Sequence, residues 1–335
     1  MRRREFIGLL GTAAVVGVSI VRAEEQVKVY RIAVADPITP VSDMTENGHN
    51  PNIATLFREL RRLGYVEGRN LFVQRFSGSG DNAGYDKLAR DVVATAPDLI
   101  IAISNLMVLR FKAASTNIPV VGTMADPVAF GIVSSLARPG GNITGVASDA
   151  GIEIWGKRLE LLREAVPEVS RVGFITSKYI MERAPGAAMR NATQQTSMSL
   201  VGSSLDGLLQ EQEYRRVFES FEQATAQALV VGENPENFEQ RHLIVALAER
   251  ARLPTIYPYR DYVEIGGLMS YGPNGSDRYR RVAAYVDMIL KGAKPAETPI
   301  YQMTAFDAAI NLKTANSLGL TLSTALLAQA DEVIE

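Results

Sequence analysis

Residues 266–295, GGLMSYGPNGSDRYRRVAAYVDMILKGAKP, determine more about the fold than any other part of the chain. The first residues of this stretch are the end of an apolar strand. A cluster of turn-forming residues follows at 272–275. A helix is predicted over 277–291, because its apolar residues recur at the spacing of one helix face. These residues are Tyr279, Val282, Ala283, Val286, Ile289 and Leu290. Gly292 then ends the helix.

The same alternation of strand and helix runs along the chain from Val27 onward. Strands are predicted at 29–35, 71–75, 99–103, 119–123, 143–147, 172–176, 200–202, 228–231, 255–257 and 268–270. Helices are predicted at 51–64 (capped by Asn50), 85–95, 104–116, 153–165 and 236–250. Repeated strand–helix–strand units favour parallel sheets covered by helices on both faces. The length suits two such domains of about 150 residues each.

Several longer strings resemble one family, the ABC-transporter substrate-binding proteins, whose relatives include tryptophan- and tyrosine-type binding proteins. Besides the opening stretch, they are LRRLGYVEGRNL at 60–71, STNIPVV at 115–121, DPVAFGIVSSLARPGGNITGV at 126–146, GKRLELLREAVPEVSRV at 156–172 and FDAAINLKTANSLGLTL at 306–322. The resemblance implies an α/β fold of the type I periplasmic-binding kind, with two doubly wound parallel-sheet lobes joined by three crossings. It assigns 27–146 plus 272–297 to lobe one and 147–271 plus 298–335 to lobe two.

Composition excludes several functional classes. The formal net charge is −2 and no basic stripe is present, which argues against a nucleic-acid partner. The chain has no cysteine, so it has no disulfide, no cysteine nucleophile, no cysteine-ligated metal and no lipoprotein anchor. His49 and His242 are far apart, and both are interpreted as surface or helix residues. No catalytic or cofactor-binding motif occurs, so we expect a protein without cofactor, metal or enzymatic activity.

The first 23 residues have the features of a signal peptide, which would direct the chain to the periplasm. A basic segment at 2–4 precedes a glycine-diluted apolar segment at 7–20, which is shorter than a membrane span. Val21 and Ala23 predict cleavage before Glu24. The run at 3–7, RREFI, resembles the twin-arginine export motif, and an arginine-rich secretory signal is the alternative.

Candidate binding residues follow the strands, because ligands of open α/β sheets bind beyond the carboxyl ends of the strands. In lobe one they are Asp36, Ser104, Asn105, Thr123 and Asp126. Asp36 is interpreted as a ligand contact or as an Asp-Pro turn. Ser104 is expected to cap a helix whose exposed N–H groups bind a carboxylate. An ordinary helix cap without ligand contact is the alternative for Ser104. Asp126 is expected either to cap a helix beginning at Pro127 or to face the ligand.

In lobe two the candidates are Thr176, Tyr179, Glu233, Asn234 and Tyr257. The tyrosines are expected either to stack on a flat ligand or to pack at a lobe surface. Glu233 is expected to pair with an ammonium or hydroxyl group. Trp155, the single tryptophan, is interpreted as a packing residue. The segments 36–50 and 176–183 depart from the family pattern, which predicts a different ligand specificity.

The functional expectation is a periplasmic solute-binding component of an ABC importer. It captures an amino acid or another small organic anion between the lobes and delivers it, as a monomer, to an inner-membrane permease with a separate ATPase. Two alternatives remain: a ligand-sensing partner of a membrane receptor, and an exported enzyme.

Overall fold

The computed structural model describes residues 28–148, 153–207 and 210–335 of the chain. The predicted signal peptide and its cleavage site lie outside the described residues, as do residues 149–151 of the polar linker at 148–151, where the first crossing between the lobes is predicted. None of the helices in the described part has the length and apolar character needed to span a bilayer.

The described residues form thirteen strands in two sheets. In chain order they are β1 (Tyr30–Asp36), β2 (Leu71–Ser77), β3 (Leu99–Ile103), β4 (Val120–Met124), β5 (Ile143–Ala147), β6 (Arg171–Ile175), β7 (Ser199–Val201), β8 (Ala228–Val231), β9 (Thr255–Tyr257), β10 (Met269–Pro273), β11 (Tyr301–Gln302), β12 (Phe306–Asn311) and β13 (Glu332–Ile334). The first sheet has the order β11-β5-β4-β3-β1-β2, and the second has β13-β12-β10-β9-β8-β6-β7.

The pairing within these sheets confirms the predicted fold class, α/β with two parallel-dominated sheets. Every neighbouring pair of the described strands is parallel except β10 and β12, which are antiparallel. Parallel strands need crossover connections, and helices supply most of them here.

Helices occur at all six predicted places, and the structure adds further helices that were not predicted, over 178–181, 184–195, 211–223, 260–264, 312–317 and 324–328. In chain order they are α1 (Pro51–Arg62), α2 (Tyr85–Ala94), α3 (Asn105–Ala114), α4 (Glu153–Ala165), α5 (Lys178–Met181), α6 (Ala184–Gln195), α7 (Glu211–Gln223), α8 (Pro235–Glu239), α9 (Arg241–Arg250), α10 (Arg260–Glu264), α11 (Gly275–Leu290), α12 (Leu312–Ser317) and α13 (Thr324–Ala328). The single helix predicted over 236–250 is therefore two helices, since α8 ends at Glu239 and α9 begins at Arg241.

Each sheet is covered by apolar side chains on both faces, as a doubly wound lobe requires. Alternate residues of a strand point to opposite faces. In β1, Ile32 and Val34 belong to the core beneath α1 and α11, whereas Ala33 and Ala35 belong to the core beneath α2 and α3. In β8, Val230 and Leu229 are divided between two cores of the second sheet in the same way.

The lobe boundaries differ in detail from the predicted ones. Gly272 and Pro273 still pair with β12 of the second sheet, so the chain returns to the first sheet only after Pro273. Later, Tyr301 and Gln302 pair with β5 of the first sheet, although the sequence assigned 298–335 to the second lobe. A two-residue edge strand has too short an apolar pattern to be recognised from sequence.

Asn274 lies between β10 and α11, where the chain returns from the second sheet to the first in the second of the three predicted crossings. Its side-chain oxygen accepts a hydrogen bond from the N–H of Asp277 (2.9 Å) and thereby caps α11, which packs against α1 and the first sheet. Its side-chain nitrogen donates to Oδ2 of Asp307 (2.9 Å) in β12 of the second sheet. One amide group therefore connects the two lobes.

Candidate ligand-binding site

A cavity of about 190 Å³ lies between the carboxyl ends of the strands of the two sheets. Its walls come from the segments that follow β1, β3 and β4 of the first sheet and β6, β8 and β9 of the second. Both sheets therefore present their ligand-binding edges to the same space, which is the arrangement expected of two facing doubly wound lobes.

The cavity brings together all of the predicted site residues except Tyr257. The lining residues among them are Asp36, Ser104, Asn105, Thr123, Asp126, Thr176, Tyr179, Glu233 and Asn234. They come from five strand ends, which explains why the rule that ligands bind beyond the strands located them.

Tyr257 lies elsewhere. It is the last residue of β9, and only 1% of it is exposed. Its ring stacks on Tyr262, with 4.8 Å between the ring centroids, in the core behind the second sheet. Tyr259, which follows the end of β9 and belongs to the same core, lines the cavity instead. The structure therefore does not place Tyr257 in the cavity, where it was expected to meet the ligand.

Asp36 forms the predicted turn and also lines the cavity. Its Oδ1 accepts hydrogen bonds from the N–H groups of Ile38 (2.8 Å) and Thr39 (2.7 Å), which is the turn-forming role. It also lines the cavity and is 3% exposed. Burial raises the pKa of the Asp36 carboxyl, and the two hydrogen bonds oppose that rise.

Ser104 and Asn105 shape the start of α3. Ser104 has the left-handed φ of 85°, and its Oγ accepts a 3.4 Å hydrogen bond from the N–H of Met107. The Oδ1 of Asn105 accepts from the N–H of Ala125 (2.8 Å), which ties the ends of β3 and β4 together. The predicted cap is present, and the first turn of α3 faces the cavity with its helix-dipole charge.

Asp126 caps a turn and not a helix. Its Oδ1 accepts hydrogen bonds from the N–H groups of Val128 (3.1 Å) and Ala129 (2.9 Å). The helix expected at Pro127 does not form, and only one helical turn follows, closed by the N–H of Phe130 on the carbonyl of Asp126 (3.1 Å). Gly131, with φ of 67°, stops it, and the turn places Phe130 in the cavity wall.

Two buried polar groups of the second lobe line the cavity without hydrogen-bond partners among the described residues. They are the Oγ1 of Thr176 and the Nδ2 of Asn234, and these residues are 0% and 9% exposed. Asn237 holds the surrounding loop, because its Nδ2 donates to Oδ1 of Asn234 (3.0 Å) and to the carbonyl of Ile175 (2.9 Å). Buried groups of this kind normally have partners, so a bound solute or water is expected to supply them.

Glu233 is held by an arginine that the sequence analysis did not identify. Nη2 of Arg158 donates to Oε1 of Glu233 at 2.5 Å, and its Nε donates to the carbonyl of Tyr271 at 2.8 Å. Arg158 is 0% exposed, and its guanidinium lies 5.1 Å from the ring of Trp155. The acid expected to meet an ammonium group therefore already has a cationic partner.

Trp155 lines the cavity in addition to packing. It is 8% exposed and meets Phe174 edge to face, with 5.1 Å between the ring centroids. Several other aromatic side chains line the same space: Phe130, Tyr179, Phe238, Tyr259 and Tyr279. The walls therefore offer large apolar surfaces with a few polar groups, as small-molecule sites do.

The cavity also contains charged residues that sequence reasoning missed: Glu236, Glu239 and Arg278. Burial raises the pKa of Glu236 and of Glu239, and the charge of Asp36 raises both further. All three lie inside helices that begin at the cleft, in α8 and α11, and not among the first residues after a strand. Arg278 lies in the first turn of α11, the helix that follows the second crossing. That position at a helix start is the sequence feature that could have identified it.

Comparison with known proteins agrees with this geometry. The family model described as ABC transporter substrate binding protein matches residues 47–334. A tyrosine-binding protein of Clostridioides difficile (strain R20291) is 32% identical over 119 residues, which is 35% of this chain and only 34% of that relative.

Solved structures share the fold. A conserved domain protein from Vibrio cholerae O1 biovar eltor is 23% identical with a TM-score of 0.79, covering 91% of this chain and 100% of that one. An ABC domain from Streptococcus pneumonia in complex with L-Trp is 21% identical with a TM-score of 0.77, covering 92% of this chain and 100% of that one. Because the family model matches most of the chain, this protein belongs to the ABC transporter substrate-binding protein family.

Proposed function

We propose that this protein is the periplasmic solute receptor of an ABC importer. It binds a small molecule between its two lobes, acts as a monomer, and delivers the solute to an inner-membrane permease served by a separate ATPase. The cavity between two facing sheet edges carries this proposal, together with the family to which the chain belongs. Binding is reversible and involves no covalent step.

The proposed solute is an amino acid or a similar small organic anion that carries an apolar or aromatic group. A cavity of about 190 Å³ is smaller than the sites of about 300–1,000 Å³ that take drug-sized ligands. Its aromatic walls suit a flat or apolar side chain, and its charged residues suit a polar end. The ligands named for the tyrosine-binding relative and for the L-Trp complex point in the same direction.

Solute binding is proposed to be coupled to lobe closure. The solute contacts both lobes, so it binds the closed form better than the open form and shifts the population toward closure. The unpartnered groups of Thr176 and Asn234 support this view, because a bound solute would satisfy them.

A thermal-shift screen of the purified mature chain against the twenty L-amino acids, aromatic carboxylates and sugars tests the function. A solute at about 100 times its dissociation constant should stabilise the protein by roughly 2.7 kcal/mol, which is visible as a melting shift. Mass spectrometry of the recovered solute should show it unchanged. A chemically altered solute would contradict a receptor role, and stabilisation by sugars alone would contradict the proposed ligand class.

Export by a cleaved signal peptide is a separate part of the proposal. The mature chain should begin at Glu24, and amino-terminal sequencing of periplasmic material measures this directly. Replacing Arg3 and Arg4 by lysine should block export if the twin-arginine route is used. An unchanged periplasmic yield would instead favour the general secretory route.

A further inference from the structure

Arg278 is a buried cation, and the other described charged residues that line its cavity are all acids. It lies in the first turn of α11, and it is the one lysine, arginine or histidine that lines the cavity among the described residues. Five carboxylates line the same space: Asp36, Asp126, Glu233, Glu236 and Glu239. Arg278 is only 8% exposed, so its charge is largely removed from water.

The contacts of Arg278 leave its charge uncompensated. Its Nη1 donates to the hydroxyl of Tyr259 (3.2 Å), and its guanidinium lies 5.2 Å from the ring of Tyr259 and 5.3 Å from that of Tyr279. Its Nε is buried and has no hydrogen-bond partner. Within the described part of the chain no carboxylate forms an ion pair with it, whereas Arg280 and Arg281 both pair with Asp277.

A buried arginine without a bound carboxylate favours the binding of an anion. Arginine remains charged at any physiological pH, and burying a charge is costly unless a counter-charge accompanies it. The charges of Glu233 and Asp261 act on Arg278, but neither carboxylate forms an ion pair with it among the described residues, and Glu233 is already bound by Arg158. Arg278 is therefore left without a carboxylate bound directly to it.

We propose that Arg278 binds the carboxylate of the solute and is the residue that selects solutes carrying this group. The inference rests on the proposed function, since it names the polar end of the solute that the cavity binds. The start of α3, where sequence reasoning expected a carboxylate, offers N–H groups but no full charge. A guanidinium matches the geometry of a carboxylate and forms stronger, charge-assisted hydrogen bonds.

The position of Arg278 also orients the solute. Arg278 and its partner Tyr259 lie beside the second crossing, because α11 follows Asn274 and β9 is the neighbour of β10. Asp36, at the end of β1, and Glu236, in the helix α8 that follows β8, are acids of the same cavity. A zwitterionic amino acid would therefore place its carboxylate toward the crossing and its ammonium toward the acids.

Calorimetric titration of Arg278→Gln tests the assignment, with Arg280→Gln as the matched control on the solvent side of the same helix. The probes are L-tryptophan, L-tyrosine, L-phenylalanine and any other binder from the amino-acid screen, each with its carboxamide. The variant should bind the free acid at least about tenfold more weakly than the wild type. The carboxamide should bind wild type and variant alike, because it lacks the charge that Arg278 recognises. Arg280→Gln should bind as the wild type does.

Equal binding of the free acid by wild type and Arg278→Gln would overturn the inference and leave the proposed function intact. If no amino acid or small carboxylate binds the wild type, the proposed ligand class fails. The ligand-free melting temperature of Arg278→Met then decides whether Arg278 has a structural role. Removing an uncompensated charge should leave that temperature unchanged or raise it. A lower melting temperature than that of Arg280→Met would show that Arg278 is structural and overturn the inference.

Discussion

Asp36 and Glu236 come from different sheets, yet they line the same cavity, and the charge of Asp36 adds to burial in raising the pKa of Glu236. Glu239 responds in the same direction, again with burial as the larger cause. The structure therefore places like charges on both sides of the cleft. A solute ammonium would relieve this repulsion, and so would a proton.

This relationship predicts a specific pH dependence of the free energy of unfolding. A carboxyl whose pKa is raised by folding binds more protons in the folded state, so its contribution to stability falls as pH rises above its ordinary value, 4.5 for Glu236. Glu236→Gln should therefore be more stable than the wild type near about pH 8, and the difference should shrink toward about pH 5. Denaturant unfolding across this range measures it. A difference that grows on acidification would contradict the prediction.

Removing Arg158 should be strongly destabilising. Arg158→Met would leave Glu233 and the carbonyl of Tyr271 without their partner, and breaking such a buried pair costs about 3 kcal/mol or more. The double variant Arg158→Met with Glu233→Gln should recover part of that loss, since no unpaired charge remains. Arg163→Gln, at an exposed position of the same helix, should change stability by less than about 0.5 kcal/mol. Equal losses in the single and double variants would mean that the pairing itself contributes nothing.

Ser104 offers a test of capping against ligand binding. Ser104→Ala should cost about 1 kcal/mol, because it removes the cap and keeps a Cβ at a φ of 85°. Ser104→Gly should cost only a few tenths of a kcal/mol, because glycine accepts that φ. Both variants should alter melting temperature more than affinity, the reverse of Arg278→Gln. A large loss of affinity in Ser104→Ala would instead indicate that the solute carboxylate binds at the start of α3.

Trp155 should report binding directly. It is the only tryptophan of the chain and lines the cavity, so its fluorescence should change when a solute enters. Trp155→Phe should abolish the signal and weaken binding by about 1 kcal/mol, because part of the aromatic contact remains. If fluorescence stays constant while calorimetry detects binding, the solute does not contact Trp155.

Most of the strands and helices that could be predicted are those with clear local patterns of apolar residues. The strands 99–103, 143–147, 228–231 and 255–257 were predicted with the observed bounds, because each is a short apolar run between turn signals. Helix α7 was missed although Tyr214, Val217, Phe218 and Phe221 form a regular buried face. Helix α6 was missed for a better reason, since its small and polar residues carry no clear apolar stripe.

The site was predictable as far as the strand ends define it. Topology places residues such as Thr123 and Thr176 at the cleft, whatever their side chains do. The missing residues depend on tertiary detail: Arg158 reaches Glu233 from α4, and Tyr259 lines the cavity from the segment between β9 and α10. No sequence pattern carries that information, since it arises from how elements pack against each other.

The strand orders also bear on how a solute arrives. The crossing segments β10 and β11 lie toward one side of their sheets, whereas β2 and β7 form the opposite edges. A rotation at the crossings would therefore open the cleft mainly on the side of β2 and β7. Five carboxylates and one arginine line the cavity among the described residues, so the local potential of the cleft is negative, which attracts cations and repels anions before contact. Capture should then slow for anionic solutes and depend on ionic strength, so selection by charge would begin during diffusion.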